Sequence, residues 1–109
     1  MSILNTKKNN GLSVEEKEAV LDHMARRNEG SYNLTKAAEE LQELALVLLQ
    51  RVHKGGMVPT KEIIDEIGDV EIRVDVLKRI FSKEAVEERV NKKLTKYRGY
   101  IDTNKHRNI

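Results

Sequence analysis

Two stretches with helical apolar periodicity, separated by one turn that contains glycine and proline, each carry two acidic residues three positions apart. The first pair is Glu40 and Glu43, and the second pair is Glu66 and Asp69. On a helix, side chains at this spacing share one face, roughly 5–6 Å apart at their Cβ atoms. Carboxylates brought together from two helices repel one another unless a cation lies between them, and Mg²⁺ takes oxygen ligands. The pattern therefore predicts an antiparallel helical hairpin that binds a divalent metal ion.

The spacing of apolar residues predicts helices on both sides of this hairpin as well. A first helix is expected at about 13–28, because Ser13 and Glu16 have the spacing of a capping box, and Gly30 is expected to end it. A second helix is expected from 33 or 35 to 53, before a pair of glycines. Its predicted core face repeats at helical spacing and consists of Leu34, Ala37, Leu41, Leu44, Leu48 and Val52.

Two more helices follow the turn. The third is expected at 60–81, with Thr60 as its cap, and the fourth begins at Ser82. Acidic residues early in the fourth helix and basic residues late in it suit the helix dipole. We therefore expect an all-α, four-helix arrangement. The chain is expected to consist of a flexible N-terminus over 1–12, a single domain over 13–101 and a polar tail over 102–109.

Composition excludes several classes of protein. A chain of 109 residues suffices for one domain, and the absence of cysteine excludes disulfides and zinc–thiolate sites. Aromatic residues make up 4% of the chain and charged residues 35%, which suits a helical protein with an aliphatic core.

No apolar run approaches the ~20 residues of a membrane span, and no secretory signal is recognisable, so we expect a cytoplasmic protein without membrane contact. A net charge of +2 does not indicate a nucleic-acid partner.

The second half of the second helix is apolar on every side. Residues 44–49 contain only alanine, leucine and valine. A helix with one face in water does not need such a sequence, so several of its faces are expected to be covered. In so small a domain a second subunit is the expected cover, which predicts a homodimer or a homotetramer.

The two acidic segments also carry a resemblance. Lys36–Ala45 (KAAEELQELA) and Ile64–Ile72 (IDEIGDVEI) resemble the all-α nucleoside triphosphate pyrophosphohydrolases of the MazG-like superfamily, and the resemblance covers about residues 34–101. It implies that Mg²⁺, or Mn²⁺ in its place, is bound by Glu40, Glu43, Glu66 and Asp69. It implies hydrolysis of NTP or dNTP to the monophosphate and pyrophosphate, commonly to remove unwanted nucleotides, with Glu39 activating the water. Substrate contacts are then expected from Lys36, Lys93, Lys96 and Tyr97.

Other interpretations of the same residues stay open. Phosphoribosyl-ATP pyrophosphohydrolases are similar in fold and acidic motif, so that substrate is one alternative. Another is a helical interaction module that binds nucleic acid through residues 89–107, with the carboxylates in salt bridges between helices. Lysines of the fourth helix also suit a solvated helix end, and Tyr97 lies in an apolar stripe that suits the core. Gly68 lowers helix stability by ~1 kcal/mol relative to alanine, which indicates either close approach of a phosphate or a neighbouring helix, or a small residue that the helix tolerates.

Overall fold

The computed structural model describes residues 11–27, 29 and 31–109. These residues form four α-helices and no strand. The helices are α1 (Val14–Arg26), α2 (Tyr32–Lys54), α3 (Thr60–Phe81) and α4 (Lys83–Asp102), and two short 3-10 turns lie at Gly55–Met57 and His106–Asn108. The predicted all-α class is thus confirmed for the described residues. Most of the segment expected to be flexible and the Gly30 expected to end α1 lie outside them.

The observed helix bounds are close to the predicted ones, but one cap differs. α3 has the predicted bounds, whereas α1 ends at Arg26, before the predicted position. Pro59 precedes α3 at the N-cap position, no side chain caps the helix, and Thr60 is the first helical residue, so the predicted Thr60 cap is wrong. The fixed φ of proline already suits the start of a helix. Ser82 does cap α4, since its Oγ accepts a hydrogen bond from the Ala85 N–H at 3.1 Å.

Side-chain hydrogen bonds hold both ends of α1. At its start, Ser13 Oγ accepts from the Glu16 N–H at 3.1 Å and Glu16 Oε1 accepts from the Ser13 N–H at 2.8 Å, which confirms the predicted capping box. At its end, the side-chain amide of Asn33 donates to the carbonyl oxygens of Met24 and Arg27 at 3.0 and 3.1 Å. Asn33 is buried at the start of α2. It therefore satisfies carbonyl groups that a helix end leaves unpaired and joins α1 to α2.

α2 and α3 form the predicted antiparallel hairpin. At the turn, the Arg51 guanidinium donates to the Val58 carbonyl oxygen at 3.4 Å. Gly55 has φ +56°, a conformation that favours glycine and ends α2. Farther along the pair, Glu43 of α2 lies close to Glu66 of α3. Among the described residues the buried apolar side chains are Ala37, Val47, Val58 and Val76.

Only two of the six residues predicted for the core face of α2 are covered. Ala37 is buried and Leu44 is half-buried, but four other members are exposed: Leu34, Leu41, Leu48 and Val52. The covered positions of α2 recur at 37, 40, 44 and 47, a spacing that gives one narrow seam along α3. The exposed leucines lie on the adjacent side of the same helix. The sequence pattern had joined two stripes into one, because both have helical spacing.

α4 follows α3 directly after Ser82 and contacts it. Its apolar residues Val90, Leu94 and Ile101 are exposed. α4 is thus attached to the rest of the domain without burying these three apolar residues.

Within the described part of the chain, no helix combines the length and the apolar character that crossing a membrane requires.

Arg79 of α3 fastens α1 to the hairpin. Its guanidinium donates to Asp75 on the same helix and to Glu18 and Asp22 of α1, at 2.8–2.9 Å. The side chain is 17% exposed. The hydrogen bond to Asp75 has the largest effect on the pKa of Arg79, and together the three bonds raise it above its ordinary value. The planar fork of donors on arginine suits several carboxylates at once. The position of α1 therefore depends on one charged contact in addition to apolar packing.

We predict that Arg79→Met loosens α1 while the hairpin stays folded. The substitution removes every hydrogen bond of the guanidinium and leaves the carboxylates of Glu18, Asp22 and Asp75 to repel one another. Hydrogen exchange followed by mass spectrometry should show severalfold faster exchange of the α1 amides and little change in α2. Lys78→Met, which removes a charge from the preceding residue, is the control. Unchanged protection of α1 in the Arg79 variant would contradict this role.

Candidate metal centre

Three carboxylates meet where the two acidic pairs face each other across the hairpin. Glu40 and Glu43 come from α2 and Glu66 comes from α3. Each offers one carboxylate oxygen, and these oxygens all lie within 4.8 Å of one another. The spacing of the α2 pair places both residues on one face, and the antiparallel hairpin brings Glu66 to the same level. The predicted grouping of these three residues is present in the structure, while their role as ligands stays a prediction.

Burial distinguishes the members of this carboxylate cluster. Glu40 and Glu66 are half-buried in the seam between α2 and α3, whereas Glu43 is exposed. Glu40 Oε2 and Glu66 Oε2 are shielded from solvent and have no hydrogen-bond partner among the described residues. Keeping a polar oxygen away from water without a partner is unfavourable. These two oxygens are therefore available to a cation from outside the chain.

The electrostatics of the cluster also favour a cation. Burial is the largest cause that raises the pKa of Glu40, and the negative charges of Glu43 and Asp69 raise it further. The positive charge of nearby Arg73 lowers it. Burial, followed by the charges of the other three acids, likewise raises the pKa of Glu66. Both ionised carboxylates are thus destabilised by their surroundings. A divalent cation would relieve this destabilisation, and an all-oxygen donor set suits Mg²⁺ or Mn²⁺.

Asp69, the fourth predicted ligand, lies beside the cluster and not within it. It is exposed and does not belong to the group of oxygens within 4.8 Å of one another. Its charge nevertheless acts on both Glu40 and Glu66. Because Mg²⁺ usually keeps several water ligands in proteins, a carboxylate at this place can act through a water as well as directly.

Glu39 and Lys36 form a pair on the exposed side of α2. The Lys36 ammonium lies 3.3 Å from Glu39 Oε1 and 5.8 Å from the centroid of the Tyr32 ring. Glu39 is not a member of the carboxylate cluster. The residue predicted to activate the water therefore sits next to Glu40 in sequence, and its carboxylate is held by a lysine that was predicted to bind substrate.

The predicted substrate residues of α4 are not brought to the cluster within one chain. The Lys93 ammonium lies 5.1 Å from the centroid of the Tyr97 ring, and that of Lys96 lies 5.8 Å from the centroid of the Tyr100 ring. Neither the cluster nor the cavity beside it includes a residue of α4 in the described structure. Their proposed contact with substrate stays a prediction.

A cavity beside the cluster shows a residue that the sequence pattern missed. The cavity has a volume of about 710 Å³ and is lined by Glu40 and Asp69 together with residues of α1 and α3, including Arg73. Arg73 follows Asp69 by one helical turn, so both face the same side of α3. That spacing was visible in the sequence, but the position of α1 that closes the cavity was not.

We predict that Glu66→Gln raises the melting temperature in EDTA by a few degrees at neutral pH. The pKa of Glu66 is raised in the folded state, so its ionised form destabilises the metal-free fold above that pKa. The advantage of the variant should therefore shrink as the pH falls through the raised pKa, where the wild-type glutamate becomes protonated. Thermal unfolding across a pH series measures both effects.

The matched control is Glu62→Gln, which removes a charge from an exposed position of α3 outside the cluster. It should leave the melting temperature in EDTA close to that of the wild type. The same melting temperature for Glu66→Gln and the wild type would show that the cluster is not under electrostatic repulsion.

Comparisons with known proteins return no relative: no family model, no curated protein and no solved structure matches this chain. The functional conclusion therefore depends on the carboxylate cluster and its surroundings.

Proposed function

We propose that this chain is a Mg²⁺-dependent nucleoside triphosphate pyrophosphohydrolase that converts NTP or dNTP to the monophosphate and pyrophosphate. One observation carries the proposal. Glu40, Glu43 and Glu66 converge, and two of them hold a solvent-shielded carboxylate oxygen without a hydrogen-bond partner among the described residues. None of these three forms an ion pair with a described lysine or arginine. Carboxylates that served salt bridges between helices would have such partners, so this arrangement favours a metal site over an interaction module.

The donor set fits a hard divalent cation. Glu40, Glu43 and Glu66 would hold Mg²⁺, or Mn²⁺ in its place, with Asp69 beside them. When bound, the ion supplies the positive charge that a triphosphate requires near these carboxylates and lowers the pKa of a coordinated water. The resemblance of the two acidic segments to MazG-like enzymes supports the same ligands.

In this proposal Glu39 is the general base and Lys36 binds phosphate. The Lys36–Glu39 ion pair is exposed, so separating the two side chains costs little free energy. A triphosphate that draws Lys36 away would free the Glu39 carboxylate to take a proton from the attacking water. The water oxygen then bonds to the α-phosphorus, the bond from that phosphorus to the bridging oxygen breaks, and pyrophosphate leaves.

Glu40→Gln and Asp69→Asn should each lower pyrophosphate release by at least roughly a hundredfold, since even residues that only support a metal ligand affect activity roughly 10- to 100-fold. The assay measures release from the common NTPs and dNTPs, dUTP and phosphoribosyl-ATP, with Mg²⁺ and with EDTA. Circular dichroism checks that both variants stay helical, and Glu62→Gln is the matched control on α3.

Wild-type turnover in either variant would overturn the assignment of these ligands. Release from phosphoribosyl-ATP alone would favour that enzyme class. Neither turnover nor a Mg²⁺-dependent rise in melting temperature, together with salt-dependent binding to DNA or RNA, would favour the interaction module.

The proposed enzyme is a homodimer or a homotetramer. Leu34, Leu41 and Leu48 of α2 are exposed by 51%, 48% and 44%, and Ala38 and Ala45 lie between them at helical spacing. A continuous stripe of this kind suits packing against a second helix. Since Lys93 and Lys96 lie away from the cluster within one chain, their proposed contact with substrate requires a second copy that brings its α4 there.

The double variant Leu41→Glu, Leu48→Glu should be a monomer at micromolar concentration, because charged side chains cannot be buried in an apolar interface without partners. Size-exclusion chromatography with light scattering measures the mass of the variant and of the wild type. Val14→Glu, an exposed apolar position on α1, is the control and should keep the oligomer. A monomeric wild-type protein would refute the oligomer.

A further inference from the structure

The cavity between α1 and α3 is larger than the carboxylate cluster needs. Its volume is about 710 Å³, and Glu40 and Asp69 line it on the side of the cluster. Small-molecule sites in proteins typically have volumes of roughly 300–1,000 Å³. The metal site accounts only for the carboxylate side, so the rest of the cavity has no ligand assigned to it.

Most of the wall that α1 contributes is apolar. The apolar residues of α1 in this wall are Val20, Leu21 and Met24, and Lys17 is the charged one. Leu12, just before the helix, and Ile72 of α3 extend the apolar surface. A phosphate gains nothing from such a surface, because water solvates its charge better. A nucleobase and its sugar have apolar faces that gain free energy from burial. The flexible side chain of Met24 can adapt to the shape of a ring.

Gly68 leaves the α3 side of this cavity open. A Cβ atom at Gly68 would meet no other atom within 4 Å, so no neighbouring helix packs there. Among the described residues, no other helix of the same chain therefore packs closely against Gly68. Gly68 lines the cavity next to Asp69.

Arg73 lines this cavity together with Lys17, Glu71 and Asp75. It is half-buried and forms no hydrogen bond or ion pair with a described residue, and Asp75 on the same helix is bound by Arg79. Its positive charge lowers the pKa of Glu40 against the effect of burial, so the guanidinium lies near the carboxylate side of the cavity. A planar fork of donors in this place suits a phosphate group, which it can bind through two parallel hydrogen bonds.

We propose that this cavity binds the nucleoside monophosphate part of the substrate, with Arg73 on its phosphate and the apolar wall of α1 against its base and sugar. The inference rests on the proposed function, because it places the α-phosphate beside the carboxylates where the bond to pyrophosphate breaks. It makes α1, which Arg79 holds in place, part of the substrate site.

The test is isothermal titration calorimetry in Mg²⁺ with AMP, GMP, CMP, UMP and their deoxy forms, and separately with pyrophosphate. Arg73→Gln should weaken monophosphate binding roughly tenfold to a hundredfold, as expected for loss of charge-assisted hydrogen bonds, and leave pyrophosphate binding unchanged. Arg73→Lys keeps the positive charge but lacks the planar pair of donors, so its monophosphate affinity should lie between those of the wild type and Arg73→Gln. Lys78→Gln, on the same helix and outside the cavity, should bind as the wild type does.

A second variant separates binding from folding. Val20→Trp fills the cavity from the α1 side and should abolish monophosphate binding, while Mg²⁺ still raises the melting temperature. In steady-state assays Arg73→Gln should lower kcat/KM, because the contact is made to the phosphate that reacts.

Unchanged monophosphate affinity in Arg73→Gln, an equal loss for pyrophosphate, or no monophosphate binding by the wild type at millimolar concentration would each overturn the inference. Turnover by the wild type is a separate readout. Pyrophosphate release combined with Arg73-independent monophosphate binding would leave the proposed function standing and refute this inference. Arg73-dependent monophosphate binding without turnover of any nucleotide would support monophosphate binding in the cavity and refute the proposed function.

Discussion

Repulsion among carboxylates in the seam between α2 and α3 is the constraint on which the proposed chemistry depends. An ordinary helix pair has apolar side chains at the positions that Glu40 and Glu66 occupy here. Burial and the neighbouring acids raise the pKa of both glutamates, so the seam is less stable alone than an apolar seam would be. In the proposed function, a bound cation offsets this repulsion. Such departures from the usual pattern of a core are expected where a protein binds a ligand.

The charged residues of α3 have different contacts at different places along the helix. Near its start, Glu66 has no cationic partner among the described residues, and Asp69 lies beside the cluster that contains it. Near its end, Arg79 binds three carboxylates and holds α1. Arg73 lies between these regions, in the cavity that the placement of α1 creates. The same helix thus carries one carboxylate of the proposed metal site, the proposed phosphate contact and the arginine that holds α1 beside the cavity.

The small core is one reason to propose an oligomer. Only short side chains are fully buried among the described residues, while five leucines of α2 and Leu94 of α4 are exposed. Domains of this size depend on burying a large share of their apolar surface. In the proposed oligomer, a partner on the α2 stripe would supply that burial.

The sequence by itself determined the local features of this protein. The bounds of α3, the Ser13–Glu16 capping box and the convergence of Glu40, Glu43 and Glu66 follow from interactions between residues a few positions apart and from one turn. Only the tertiary structure decided which stripe of α2 is covered and that Arg73 lines a cavity. The cavity depends on contacts such as that of Arg79 with Glu18, which lie 61 positions apart. Apolar periodicity reports which residues can be buried, but the segment that covers them is chosen by packing between distant parts of the chain.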